Sequence, residues 1–284
     1  MQIKLFNKDQ GIFVFQLDQN NYIKFCPKRG GVITNWVSDG KEILYFDEKR
    51  FMDKTKSIRG GIPILFPICG NLNTSNSVFG KDYLQLTQHG FARDSKWKHS
   101  FNENGDSLCL FLNESKKTKK YYPFDFELRI EVTLKINCLE FEIKIYNKTD
   151  IAMPINFGLH PYFNISDFKN LEFVDNPLNC QNQEKNIISN TLDELKNINL
   201  GVDLLMYTSG RSAVRDKILK RQVTINHPYP FDLGVIWSDP PRRMICLDPW
   251  TSPRNSFVDG FRNIMIPSND SQRFNASIQI KSLQ

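Results

Sequence analysis

The stretch Phe124-Asp125-Phe126-Glu127-Leu128-Arg129-Ile130-Glu131-Val132-Thr133-Leu134-Lys135-Ile136, followed by Asn137-Cys138 and then Leu139-Glu140-Phe141-Glu142-Ile143-Lys144-Ile145, decides the fold class. Its apolar residues occupy even positions up to Ile136 and odd positions from Leu139 onwards. A period of two puts every second side chain on the same face of a strand, so each half buries one face and wets the other. The change of parity at Asn137-Cys138 marks a tight reversal. Two long antiparallel strands are predicted.

Working outward, the same pattern recurs. Ser100 to Ser115 reads as two apolar runs joined by Asn104-Gly105, a hairpin signal because both residues tolerate positive φ. Val223-Thr224-Ile225, Gly234-Val235-Ile236-Trp237, Met244-Ile245-Cys246-Leu247 and Ala276-Ser277-Ile278-Gln279-Ile280 continue the series of strands. Long helices are absent from the pattern, with room for a short one between Asn186 and Asn197. With no linker, low-complexity segment or internal repeat, the expectation is an all-β chain, a large antiparallel β-sandwich forming one domain over residues 1–284.

The 284 residues, 40% hydrophobic and 24% charged, suit a globular protein with a large core. No apolar run approaches the ~20 residues of a membrane span. The N-terminus alternates apolar and polar residues and lacks the apolar segment of a signal peptide, so a cytoplasmic location is expected. Cys26, Cys69, Cys109, Cys138, Cys180 and Cys246 are scattered without a Cys-x-x-Cys pair, which predicts free thiols and neither disulfides nor a metal centre. The formal charge of +6 raises the question of nucleic acid. Its one dense cluster, Lys116-Lys117-Thr118-Lys119-Lys120, lies between strand-like runs as a solvated loop, with no nucleic-acid-binding motif around it. A small anionic substrate, needing one or two arginines, accounts for the balance better.

Four stretches carry chemistry. In Asn156-Phe157-Gly158-Leu159-His160-Pro161-Tyr162-Phe163, a histidine stands between an apolar strand and the proline that stops it, where a sheet delivers a side chain to a cleft. His160 is a candidate acid, or else a buried histidine bonded to backbone. Arg59-Gly60-Gly61 puts a fork of donors beside backbone that can approach a ligand closely, or is simply a glycine turn with a surface arginine. Gln88-His89-Gly90-Phe91-Ala92-Arg93 crowds an amide, an imidazole and a guanidinium, suited to a polyhydroxylated or phosphorylated ligand. In Ile245-Cys246-Leu247-Asp248-Pro249-Trp250, a carboxylate ends an apolar strand next to a ring able to stack on sugar; the alternative is an Asx-turn before Pro249.

Taken in order, Arg-Gly-Gly-Ile-Pro, His-Gly-Phe-Ala-Arg, Leu-His-Pro-Tyr-Phe and the later strand-borne carboxylate resemble the aldose 1-epimerase (galactose mutarotase-like) superfamily over nearly the whole chain, nearest its glucose-6-phosphate 1-epimerase branch. The resemblance implies a β-supersandwich and a cofactor-free interconversion of the α and β anomers of a hexose or hexose 6-phosphate. It assigns the acid to His160 and the base to Asp248. Arg59, Gln88 and Arg93 would hold sugar oxygens or a 6-phosphate, His89 a ring-side hydroxyl, and Asp203 a further hydroxyl. The partner expected is therefore a small sugar or sugar phosphate, with no nucleic acid or membrane, on a monomer or weak dimer. Where the family carries glutamate this chain has Asp248. One methylene less withdraws the carboxylate by about 1.5 Å, which keeps a non-catalytic sugar-binding protein as the alternative.

Overall fold

The computed structural model describes residues 2–284. The two long strands form as Phe126–Lys135 and Cys138–Asn147, paired antiparallel from Cys138↔Lys135 to Asn147↔Phe126. Asn137 takes φ 58° at the reversal, a left-handed conformation that a short amide side chain tolerates. Its N–H donates to Ser38 Oγ at 2.8 Å. The alternation is realised side chain by side chain: Phe126, Leu128, Ile130, Val132 and Leu134 are buried, as are Leu139, Phe141, Ile143 and Ile145. Ile136 departs from it, being exposed because it sits in the turn.

These strands lie in the middle of an eight-stranded sheet that runs from Leu171–Val174 at one edge to Lys98–Phe101 at the other. A second eight-stranded sheet contains, side by side, Val202–Tyr207, Leu233–Ser238, Met244–Trp250, Gly158–Leu159 and Ile64–Leu65. An N-terminal five-stranded meander, Gln2–Asn7 to Lys41–Glu42, completes the β-structure with a two-stranded ladder. Every ladder between these strands is antiparallel. Side chains of the two large sheets share one apolar cluster, which includes Leu128, Ile130 and Ile143 from the first sheet and Leu204, Ile236, Ile245 and Leu247 from the second.

Three local expectations are refined. Ser100 to Ser115 is a hairpin, Lys98–Phe101 with Leu108–Asn113. Its connection is longer than Asn104-Gly105, and Asn102 Oδ1 accepts the N–H groups of Asp106 and Ser107. Between Asn186 and Asn197 only Thr191–Leu195 is helical, because Ile187–Asn190 pairs as a strand with Asn179–Asn182. Asn190 then caps that helix, accepting from Leu192 and Asp193. Within Lys116 to Lys120, Thr118–Lys120 makes a single 3-10 turn and the lysines are exposed.

Candidate active site

The pleat of the second sheet selects the residues of the site. On Met244–Trp250, Ile245 and Leu247 point into the core, so Cys246, Asp248 and Trp250 point to the opposite face. On Val202–Tyr207 the same alternation sends Leu204 inward and Asp203 outward. On Leu233–Ser238 it turns Val235 and Trp237 outward, with Val235 opposite Asp248. Gly158 pairs with Trp250 at the end of its strand. A Cβ at Gly158 would stand 2.8 Å from the Trp250 ring, so the chain runs close against the indole and brings His160 over the same face.

One cleft is lined by Arg59, Gln88, His89, Arg93, His160, Asp203 and Asp248, bringing together all seven residues singled out in the sequence. At its centre His160 Nδ1 and Asp248 Oδ1 are 3.0 Å apart. The approach is off the line of the ring N–H, so neither atom has a directed hydrogen-bond partner among the described residues. The imidazole is held from the other side. Its ring stacks on Tyr162 at 4.6 Å and 14°, Trp237 meets it edge-on at 5.7 Å, and Nε2 is 3.5 Å from the Tyr162 hydroxyl.

Burial pushes the His160 imidazole down to about 3, helped by the positive charges of Arg59 and Arg93. Burial likewise lifts the Asp248 carboxyl well above the usual carboxylate range, helped by Asp203. The two shifts are complementary. Each shift favours the uncharged form of its group, as expected of two titrating groups in contact in a dry site.

His89 has φ 63°, an uncommon conformation for a residue with a Cβ. Its Nδ1 accepts the N–H of Gly70 at 3.0 Å and its own N–H donates to the Gly70 carbonyl at 2.8 Å. Burial holds this histidine neutral, so Nε2–H remains as a fixed donor. Arg93, buried in the turn Ala92–Asp94, donates from Nη2 to the Gln88 carbonyl at 2.8 Å. Its Nε is buried without a hydrogen-bond partner, 3.7 Å from Asp94. Gln88 itself is exposed. Arg59 lies over the Trp237 ring at 5.2 Å and donates to Ser57 Oγ at 3.1 Å. Asp203 accepts from Gln183 Nε2 at 2.6 Å and from Arg254.

Gly60 and Gly61 act differently from the expectation of a close approach to ligand. A Cβ on Gly60 would meet Phe46 and Tyr45, and one on Gly61 the Ile33 carbonyl oxygen at 2.2 Å. The glycines let protein backbone cross protein backbone. Gly61 donates to the Tyr45 carbonyl and accepts from the Tyr162 N–H, which ties the Arg59 segment to the strand end that carries His160. Trp250 also departs from expectation: at 1% exposure it is wall, and the partly exposed indole in the cleft is that of Trp237. Arg254 was missed. Its only sequence signal is a basic residue four positions past the strand end Trp250, and its stem fits because residue 70 is glycine, where a Cβ would stand 2.2 Å from Arg254 Cγ.

Three guanidinium groups thus face a cleft with two carboxyls, an environment that favours an anionic, hydroxyl-rich ligand. The side chains of His160, Cys246 and Asp248 also place possible metal-binding atoms within 4.8 Å of one another.

A family model described as aldose 1-epimerase matches residues 14–234. A protein of Cenchrus ciliaris named "Putative glucose-6-phosphate 1-epimerase" is 30% identical over 169 residues, which are 52% of this chain and 47% of that one. The chain thus spans about half the length of that relative, and 71% of a protein of the same name from Escherichia coli, at 23% identity. Among solved structures, the Slr1438 protein of Synechocystis superposes with a TM-score of 0.88 at 30% identity, over 95% of this chain and 96% of that one. A galactose mutarotase-like protein of Clostridium acetobutylicum shares the fold with a TM-score of 0.80 at 18% identity, covering 99% and 98%. No helix among the described residues is long and apolar enough to cross a membrane.

Proposed function

The chain belongs to the aldose 1-epimerase family, and from that premise we propose that it interconverts the α and β anomers of a hexose 6-phosphate through His160 and Asp248. The observation that carries this reading is the pair itself: an imidazole and a carboxyl 3.0 Å apart, buried, without directed partners, and facing a cleft lined with arginines.

Opening a hemiacetal removes a proton from the anomeric hydroxyl and delivers one to the ring oxygen. Both oxygens are bonded to the same carbon, so two groups in contact can address both, standing side by side and not on opposite faces of the sugar. Burial favours the neutral pair, so the step begins with transfer of the Asp248 proton to His160 Nδ1 across their 3.0 Å contact. The carboxylate then takes the hydroxyl proton while the imidazolium gives one to the ring oxygen. The ring opens to the aldehyde, C1 turns about the C1–C2 bond, and reclosure returns both protons. The total charge of the pair is the same before and after, so the arginines beside it do not oppose the transfer. Acid–base assistance of this kind contributes roughly 10²–10⁴-fold.

His89 Nε2–H and the Asp203–Arg254 pair supply donors and an acceptor for hydroxyls, and Arg59 and Arg93 a seat for the phosphate. The deciding experiment is anomer exchange by NMR on glucose 6-phosphate, glucose and galactose, with the phosphosugar expected to exchange fastest. One observation favours a second reading, sugar binding without turnover: Asp248 is only 2% exposed. Sugar binding with exchange at the buffer rate for every sugar would establish that reading instead.

A further inference from the structure

Two residues of the cleft and one buried beneath it offer a ligand set that sugar chemistry does not require. Cys246 precedes Asp248 by two residues on the same face of its strand, so the pleat places its thiol beside the dyad. The donor atoms of His160, Cys246 and Asp248 lie within 4.8 Å of one another, and all three residues are buried. Two of those atoms, Nδ1 and Oδ1, are buried and aimed at the site without a directed hydrogen bond among the described residues.

We propose that His160 Nδ1, Cys246 Sγ and the Asp248 carboxyl form a binding site for a zinc-class divalent cation, which competes with sugar and silences the dyad. A nitrogen, a thiolate and a carboxylate suit a borderline-soft ion better than a hard one such as magnesium. Donors bound tetrahedrally at about 2.0–2.3 Å stand roughly 3.3–3.7 Å apart. The 3.0 Å between Nδ1 and Oδ1 lies just below that range, and no pair of the three donors is more than 4.8 Å apart. The open cleft leaves the fourth position to water. A histidine bound through Nδ1 is usually fixed by a hydrogen bond from its other nitrogen, and here Nε2 faces the Tyr162 hydroxyl at 3.5 Å.

Charge allows the exchange. The bound carboxylate and thiolate cancel the two charges of the dication, any protons they carried leave to solvent, and the loaded site is neutral, so Arg59 and Arg93 do not exclude the ion. While it is bound, neither His160 nor Asp248 can give or take a proton.

Cadmium tests this directly, because a thiolate bound to it absorbs in the ultraviolet. Metal-free full-length protein should take up one cadmium ion per chain at this site with a thiolate-to-cadmium band, and glucose 6-phosphate should displace it. Cys246→Ser and Cys246→Ala, checked for folding by thermal unfolding, should lose the band. Outer partners alone change metal affinity by roughly 10–100-fold, so the loss of a direct ligand should weaken binding by at least about a hundredfold. Cys69→Ser should keep the band. A band that survives Cys246→Ser, or cadmium that glucose 6-phosphate does not displace, overturns the proposal. The band is read without turnover, so it remains decisive even if the chain exchanges no sugar.

Discussion

The imidazole of His160 and the carboxyl of Asp248 touch at 3.0 Å without sharing a well-directed hydrogen bond. A structural histidine–aspartate pair is aligned so that the ring N–H satisfies the carboxylate. This pair is in contact yet unsatisfied, which leaves both groups free to bond to a third molecule. An unsatisfied buried polar atom costs about 1–3 kcal/mol, and a ligand that supplies the missing bonds recovers it.

Removing the carboxyl's ability to carry a proton is the first consequence to test. Asp248→Asn should slow anomer exchange by roughly 10²–10⁴-fold while the sugar still binds. Asp248→Glu pushes the carboxyl past Nδ1, and a misplacement of about 1 Å costs roughly a hundredfold. NMR exchange rates of both variants check this. A glutamate variant faster than the wild type would mean that the aspartate is not placed for turnover.

The pH dependence of that rate has a defined sign. Because burial holds His160 down at about 3 and Asp248 well above the ordinary carboxylate range, the imidazole does not titrate in the ordinary range of histidine. For glucose, which has no phosphate to titrate, the enzymatic rate should show no rise centred near pH 6.5. It should fall on the alkaline side as the Asp248 proton leaves. A sigmoidal rise centred near pH 6.5 would mean a solvated imidazole.

Arg93 should separate charged from neutral sugars. Its guanidinium is buried, with Nε lacking a hydrogen-bond partner and only a longer ion pair to Asp94, and hydrogen bonds to charged groups contribute about 1.5–3 kcal/mol. Arg93→Gln should therefore raise KM for glucose 6-phosphate by roughly 10–100-fold, and change KM for glucose only a few-fold. Equal effects on the two sugars would remove the phosphate from this corner of the cleft.

Stability against pH tests the same pair of shifts. His89 and His227 are buried and held neutral, with burial the main cause. Their folded pKa values lie below the unfolded one, so their contribution is full above about pH 6.5 and is lost as pH falls, by up to about 1.4 kcal/mol per pH unit each. In the dyad the two shifts act with opposite signs: the lowered His160 adds to this acid-side slope and the raised Asp248 opposes it. In Asp248→Asn the compensation is gone, and denaturant midpoints measured between pH 7 and 5 should fall more steeply than in the wild type.

What could be read from the sequence followed from the period of two. The alternation around Asn137 gave the long strands and their buried faces, and His160 follows the end of Gly158–Leu159 as expected; Asp248 does not end its strand, which runs on to Trp250, and reaches the cleft through the outward face of the pleat. Arg254 escaped, because its place depends on the missing side chain of Gly70, far away in the chain. Trp250 was misjudged because a tryptophan beside a carboxylate looks the same in sequence whether its ring faces sugar or apolar wall. The roles of Gly60 and Gly61 needed the crossing of three distant segments, which no local pattern reports.

That crossing provides the last test. Gly61 has φ 70°, and a Cβ there would meet the Ile33 carbonyl oxygen at 2.2 Å, so alanine is opposed by conformation and by collision with backbone that cannot swing aside. Substitution at a position of this kind costs more than the ~0.4–1 kcal/mol that alanine would contribute at a permissive glycine, and has the opposite sign. Because Gly61 also accepts from the Tyr162 N–H, the displacement is passed to the strand end that carries His160. Gly61→Ala should lower the denaturant midpoint and cut kcat together. Gly105→Ala, in an open turn where a Cβ meets nothing within 4 Å, should bear only the conformational cost and leave kcat intact. If both variants lose stability but neither loses rate, the glycine pair supports the fold without aligning the acid.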